Sequence, residues 1–510
     1  MKQRKPPARA SHVNFGTAIA PHELAWPEHA GPVMRMPKLH VETEERATVT
    51  RFGGLALVEP FFRRFGVASL IDEHVEVLKM HMPYHESDHV LAQALNLYVG
   101  GTCLEDMMHL QHDEAVLRLV GACRLPDPTT AGDFLRRFDR AEHADALPGL
   151  VHANDELQQR VWRKLARRER RRRKREWCVL DVDSHVKELS GVQKEGADFS
   201  YNGKWSYHPL MVSMAATGEC LGICNRPGNV RSDTDADALV DHVLGNVVEH
   251  FDRVLVRGDS AFDIQSLREV IEHHDGYFAF VGRAQTGRPE QAAALPDSAF
   301  RPFRTRSFRQ RKAGRAKPGY KPRRKKRNLR RKCARQRGFD EMRLVKQSLA
   351  ETSYRPEGQP NAYRLIVRRQ LIENHKGQQH LFDEHRDRYV VTNLPASVTA
   401  EQVIDMTYER CDQENVIEQM GSGLAAWRMP VAEFDGNAAW LEIARLAWNL
   451  GKWIAQLALD DEVVRWEWKR FRLHYVLVPA QLIKRARQMW VRLMGARSTI
   501  DPLFLAFHAL

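Results

Sequence analysis

No run in this chain approaches the roughly 18 uncharged apolar residues of a membrane-spanning helix, so a membrane span is not expected. The first residues, Met1-Lys2-Gln3-Arg4-Lys5-Pro6-Pro7, are basic but have no apolar segment behind them, which argues against a secretory signal. Cysteine is scarce: seven residues, odd in number and scattered. Cys220 and Cys224 are the only close pair, and no second pair completes a zinc site. That usage suits reduced thiols in a cytoplasmic protein. Acid is missing altogether from residues 301–337, which hold 19 Lys or Arg and no Asp or Glu.

What is present in that gap is base. Residues 163–175 add ten Lys or Arg and one Glu. These 29 basic residues and one acid carry +28, so the remaining chain carries −15 of the net +13. The chain is an acidic body with two basic attachments. A basic run can be no more than a solvated face. Runs this dense, interleaved with Phe303, Phe308 and Tyr320, are expected to meet a phosphate backbone. Arg171, Arg172 and Arg173 in the first run, and Arg323, Arg324, Lys325, Lys326 and Arg327 in the second, are the candidate contacts. Such contacts supply affinity rather than sequence choice.

At 510 residues the chain is long enough for several domains with their own cores. Residues 1–46 have weak periodicity and read as a flexible arm. From 47 to 160 apolar residues recur at three- and four-residue spacing, as in Leu55, Val58, Phe61, Phe62 and Phe65, and an all-helical domain is expected. Pro128-Thr129-Thr130 opens a helix through Phe134, Leu135 and Phe138 with a threonine as its N-cap. A basic helix at 155–175 follows. Residues 177–284 then read strand, strand, strand, helix, strand, helix, strand, with a hairpin around Thr217-Gly218. This predicts an α/β fold with a mixed five-stranded sheet flanked by helices. Residues 285–396 read as a β-rich basic insertion with strands at 364–370 and 388–392. The core resumes over 397–460, where Thr399-Ala400-Glu401-Gln402 fits a capping box. An amphipathic helix is expected from Trp440 to about Ala458, and 461–510 form a C-terminal helical region.

Two stretches end an apolar run on an aspartate: Trp177-Cys178-Val179-Leu180-Asp181-Val182-Asp183-Ser184-His185, and Arg253-Val254-Leu255-Val256-Arg257-Gly258-Asp259-Ser260. Each reads as a buried strand that delivers a carboxylate to a sheet edge, and Gly258 is expected to let the chain turn. Asp181 and Asp183, two apart, share a face. Gathered carboxylates repel unless a cation holds them, and oxygen-only ligands favour Mg²⁺ or Mn²⁺. The helix at 399–420 offers a third acid. Glu414 lies close to the stripe of Val403, Met406, Arg410 and Ile417, whereas Glu418 is rotated away and reads as a solvent charge. Taken singly, each Asp better fits a turn former or cap, and Glu414 could be a buried ion pair with Arg410. Their co-occurrence points to metal-dependent phosphodiester chemistry on nucleic acid.

The ordered set resembles the DDE transposases of bacterial insertion sequences, of the superfamily whose third motif is Tyr-x₂-Arg-x₃-Glu-x₆-Lys. Leu180–Ser184 with Tyr201-Asn202-Gly203 and Tyr207-His208-Pro209-Leu210 is similar to the first-aspartate region of one branch. Arg226-Pro227-Gly228-Asn229 and Val256 to Phe262 resemble its middle motif, and Arg410-Cys411-Asp412-Gln413-Glu414 keeps the Arg-to-Glu spacing of the third. Tyr408 stands two rather than three residues before Arg410, and Gly421 stands where the lysine is expected. The resemblance implies a ribonuclease H-like fold in which Asp183, Asp259 and Glu414 hold two Mg²⁺ (or Mn²⁺) ions, with Asp181 in support and Glu418 as the alternative acid. It implies cleavage and strand transfer of double-stranded DNA at terminal inverted repeats and into target DNA, contacts from Arg410, Tyr408 and Arg257, a homodimer on DNA, and a bacterial, nucleoid-associated location. A ribonuclease H-like nuclease or a catalytically inactive, transposase-derived DNA-binding protein are the alternatives.

Overall fold

The computed structural model describes residues 40–41, 43–44, 47–169, 177–284, 287–304, 342–356, 359–374, 384–409, 411–486 and 488–510. Arg171, Arg172, Arg173, Arg323, Arg324, Lys325, Lys326, Arg327 and Arg410 lie outside them. By packing, the chain divides into Met1–Ala47 and Thr48–Leu510, and every helix and strand described belongs to the second unit.

That unit begins with strand β1 (Thr48–Thr50) and then turns helical. The helices are α1 (Val58–Phe65), α2 (Val67–His74), α3 (Glu86–Val99), α4 (Met108–Gln111), α5 (Glu114–Val120), α6 (Pro128–Arg136) and α7 (Ala146–Glu169). Gly66, at φ 64°, ends α1 in the left-handed region and starts α2 at once. The N-cap of α6 is Asp127, not the expected threonine. Its carboxylate accepts from the amides of Thr129 and Thr130 at 2.9 and 3.0 Å. Pro128 takes the first helical position, where its missing N–H costs nothing, so the cap falls one residue earlier.

The central sheet starts at β2 (Cys178–Ser184). A small three-stranded sheet of β3 (Lys187–Glu188), β4 (Asp198–Phe199) and β5 (Trp205–Tyr207) follows, then β6 (Leu210–Met214) and β7 (Cys220–Cys224). The β6–β7 hairpin turns at Gly218, φ 72°, as its sequence predicts. After these come α8 (Ala236–Val247), β8 (Val254–Gly258), α9 (Gln265–His273), β9 (Tyr277–Gly282), α10 (Arg288–Ala294), β10 (Arg301–Pro302), β11 (Met342–Tyr354), β12 (Tyr363–Asn374) and β13 (Glu384–Thr392). The nine-stranded order is β10-β11-β12-β13-β9-β8-β2-β6-β7. Among the described residues, only β2–β8 and β8–β9 pair in parallel. Parallel strands are covered on both faces, and every residue of β8 is buried. The basic insertion is therefore continuous with the sheet: β13 pairs antiparallel with β9 and carries a meander of β12 and β11.

One helix expected at 399–420 is two, α11 (Ala400–Tyr408) and α12 (Cys411–Ser422). The Thr399 capping box is present, and Glu409 closes α11. Val403 and Ile404 of α11 pack on Leu255, Ala279, Ile366 and Val390, across the middle of the sheet. Helix α13 (Phe434–Ala458) is buried almost all round rather than amphipathic. Its inward polar groups are paired: Arg445 with Asp155 and Glu442, and Asn449 with both the amide and the carbonyl of Cys220, capping the edge strand β7. Helix α14 (Trp468–Tyr475), the hairpin β14 (Ala480–Arg485) and β15 (Gln488–Leu493), and α15 (Arg497–Ala509) complete the chain. β1 pairs with β14. This β1-β14-β15 sheet corrects the expectation of helix alone in 47–160 and 461–510. β1, three residues long, is too short to carry a periodic signal, and Lys484, Arg485 and Arg492 interrupt the apolar pattern of β14 and β15.

Candidate active site

Strand β2 pairs with β8 in parallel, with Asp181 opposite Arg257. Two residues on from that pair stand Asp183, near the end of β2, and Asp259, just past the end of β8, so the two acids follow neighbouring strands to the same sheet edge. The two aspartates of β2 have different fates. Asp181 is fully buried, and its carboxylate accepts from Arg257 Nε and Nη2, each at 2.7 Å. Arg257 also donates to the Met406 carbonyl of α11. Arg257 is thus turned into the sheet, tying β2, β8 and α11 together, and is not presented to a ligand. Asp183 is half-buried at the strand end, where one of its oxygens accepts from the Ser184 amide at 2.9 Å.

Asp259 is half-buried, and its side chain accepts from the Ala261 amide at 2.8 Å, which shapes the loop after β8. Gly258 does not turn the chain; it is the last residue of β8, paired with Phe280. The glycine is needed for close approach, because a Cβ would stand 2.8 Å from the Phe262 side chain folded over it. The loop is held from both ends. Arg283 donates to the Ser260 carbonyl at 2.9 Å, and buried Asp263 is paired with Arg268 and Arg288.

Helix α12 lies beside the end of β2. Buried Gln413 and Ser213 are joined by a hydrogen bond, and Ser213 is the strand partner of Asp181. The next residue, Glu414, is exposed, as is Glu418. The inward stripe is Gln413, Val416, Ile417 and Met420, so the expected inward Glu414 is corrected. The helical phase counted from Val403 does not survive the break after Glu409. Tyr408 closes α11, half-exposed, with the Arg368 guanidinium 5.0 Å from its ring.

Gly421 has a packing reason. A Cβ there would meet the Trp427 ring at 2.4 Å, and that indole donates to the Ile417 carbonyl at 3.0 Å. A lysine at 421 would displace Trp427. The Trp427 ring in turn lies 5.1 Å from that of His185, two residues after Asp183. No role is legible in the sequence for the residues around this edge: His185, His208, Lys187, Gln413 and Trp427. His208 contacts Ser184 Oγ at 3.0 Å through Nε2 and the Val230 carbonyl at 3.1 Å through Nδ1. Since Nδ1 donates to that carbonyl, Nε2 accepts from the serine. Burial, aided by Lys187, pushes the His185 imidazole down to about 4. Burial, with Arg428 nearby, holds Lys187 below the usual lysine range. The Tyr207-His208-Pro209 signature was the available signal for His208.

For a divalent ion the donor chemistry fits. Asp183, Asp259 and Glu414 offer oxygen only, and two of them come from adjacent strand ends. The three do not form a group with ligand atoms all within 4.8 Å of one another. Two ions about 3.5–4 Å apart would not require that, since the outer carboxylates then bind different ions. Burial raises the thiols of Cys220 and Cys224 to about 12 and about 11. No described helix is long and apolar enough to cross a membrane.

None of the curated proteins matches this chain. Among solved structures it is similar to the piggyBac transposase in a cryo-EM structure of its synaptic complex with hairpin DNA. That match has 11% identity and a TM-score of 0.39, and covers 84% of this chain and 79% of that one. The family described as Transposase DDE domain group 1 matches residues 33–510, nearly the whole length. This chain, with its aspartates on neighbouring strand ends, therefore belongs to the DDE transposase family.

Proposed function

We propose that the chain cuts DNA at the terminal inverted repeats of a bacterial insertion sequence and joins the freed ends to target DNA, using Asp183, Asp259 and Glu414. The observation that carries this reading is the parallel register of β2 and β8, with Asp181 opposite Arg257, from which Asp183 and Asp259 follow at neighbouring strand ends. The strand order β7-β6-β2-β8-β9, antiparallel for three strands and then parallel, supports a ribonuclease H-like core. The insertion extends that core from β9.

Mg²⁺ or Mn²⁺ held by these carboxylates would activate the attacking oxygen and stabilise the leaving one at phosphorus. The chain's own residues position the site. Asp183 and Asp259 are fixed by the Ser184 and Ala261 amides. Asp181 and Arg257 lock the two strands in register. Gln413 fastens α12 to β6, and the exposed Glu414 beside it would supply the third carboxylate. The basic runs around residues 163–175 and 301–337 grip the DNA backbone, and two copies act on the two element ends.

The test is cleavage of a supercoiled plasmid bearing the element ends, with Mg²⁺. Asp259→Asn and Glu414→Gln should bind the DNA as the natural chain does and leave it uncut. Unimpaired cutting by both variants would remove the assignment. Strand-transfer products, present with the natural chain, separate a transposase from a plain nuclease.

A further inference from the structure

Away from β2 and β8, helices α2 and α7 bring together a second group of ligand-type side chains. His74 is the last residue of α2, and His152 and Glu156, four apart on α7, share one face. Each of the three offers one ligand atom, and these atoms all lie within 4.8 Å of one another. The two imidazoles meet edge to face, with centroids 4.5 Å apart. Gly149 sets the approach: a Cβ there would stand 1.8 Å from the His74 carbonyl oxygen. Only glycine lets the end of α2 press against α7 one turn before His152.

Two observations point to a ligand rather than to a simple ion pair. His74 Nε2 is buried and has no hydrogen-bond partner. The nearest carboxylate oxygen, Glu156 Oε2, is 3.6 Å away, beyond hydrogen-bond reach. Buried ring nitrogens are seldom left so. Glu156, meanwhile, is held by its other oxygen. Oε1 accepts from Arg160 Nε at 3.0 Å and Nη2 at 2.6 Å, and Arg160 Nη1 donates to the Phe65 carbonyl at 2.8 Å. Oε2 is left facing the histidines. An outer partner that fixes a carboxylate in this way is the usual support of a metal ligand. A neighbouring group, Asp72, His85 and Glu86, is less suited, because Asp72 already accepts from Ser87 and Glu86 from the amides of Val77 and Leu78.

We propose that His74, His152 and Glu156 form a zinc site that pins α2 to α7. Two imidazoles and one carboxylate are a zinc donor set, and differ from the oxygen-only set of the strand edge. Around a tetrahedral ion with bonds of about 2.0–2.1 Å, ligand atoms stand roughly 3.4 Å apart. The ligand atoms, now within 4.8 Å of one another, would close by up to about 1.4 Å to reach that spacing. Three protein ligands leave a fourth position for water, and exposed His152 gives the ion its way in. The pinned helix α7 leads, through the basic run, to β2 and its aspartates.

The experiment titrates Zn²⁺ into the full-length chain after chelator treatment, with excess Mg²⁺ throughout, and reads stoichiometry by calorimetry and thermal unfolding in parallel. The natural chain should take up one Zn²⁺ that His152→Ala lacks or binds at least tenfold more weakly, and only the natural chain should gain thermal stability from it. Asp259→Asn should bind Zn²⁺ as the natural chain does, which keeps this site distinct from the strand edge. His152 is exposed, so its replacement should fold, as circular dichroism will check. Should it not, Glu156→Gln, which keeps an acceptor for Arg160, takes its place with the same expectation. No Zn²⁺ uptake by the natural chain, or equal uptake and equal stabilisation in the folded variant, overturns the proposal.

Discussion

The same sheet carries two Asp–Arg pairs across neighbouring strands, and they do different things. In the parallel middle, Asp181 and Arg257 face each other at 2.7 Å with almost no exposure. In the antiparallel extension, Asp387 and Arg369 face each other at 3.0 Å, partly open to solvent. The chemistry is alike and the surroundings are not. Where helices cover both faces, a charge must be matched and the match fixes the register. Where one face is wetter, the pair adds less, and Arg369 reaches beyond it to the Ala292 carbonyl and the Phe300 ring. Burial, not charge, decides what each residue of this sheet is for.

The largest expected effect breaks the buried pair. Asp181→Ala leaves Arg257 charged and unmatched, which costs on the order of 3–5 kcal/mol, while Asp181→Leu with Arg257→Met recovers much of it. Urea unfolding midpoints measure both. A single variant as stable as the natural chain would show that the pair does not organise β2 and β8.

A buried histidine extends the comparison beyond the sheet. His89, 3% exposed and stacked on Phe134 at 4.5 Å, is pushed down to about 4, mainly by burial. Its folded value lies below the unfolded one near 6.5, so the stability it contributes is present above about pH 6.5 and is lost as the pH falls toward 4. At pH 5 the loss is about 2 kcal/mol. Urea midpoints at pH 7 and pH 5 should diverge less in His89→Phe than in the natural chain. Equal slopes would contradict the burial argument.

Two less buried groups anchor the small end of the scale. Thr399→Ala removes the α11 cap and should cost about 1 kcal/mol. Asp387→Ala, in the extension, should cost less than about 1 kcal/mol. A cost for Asp387→Ala equal to that of Asp181→Ala would collapse the distinction between the two halves of the sheet.

The elements that the sequence makes legible are those with one dominant local cause. The apolar runs ending on Asp183 and Asp259, the Gly218 hairpin and the Thr399 capping box each announce themselves within a few residues. What long-range packing decides is not legible. Arg257 sits in a motif beside a site aspartate and reads as a ligand contact, yet its guanidinium is spent on Asp181, 76 residues away. Glu414 reads as inward because an unbroken helix would carry the phase of Val403 past Glu409, where α11 stops. Gly421 reads as a lost lysine until Trp427 is seen to occupy its space. Strand β11 went unplaced because its alternating Arg, Lys, Ser and Glu leave no apolar run to notice.

The most direct measurement is the position of Mn²⁺, by anomalous diffraction, in crystals of the natural chain and of Asp259→Asn. The account predicts manganese against Asp183 and Asp259 at the shared ends of β2 and β8, and its loss in the variant. Manganese bound elsewhere with none at that edge, or retained undiminished in Asp259→Asn, would contradict it.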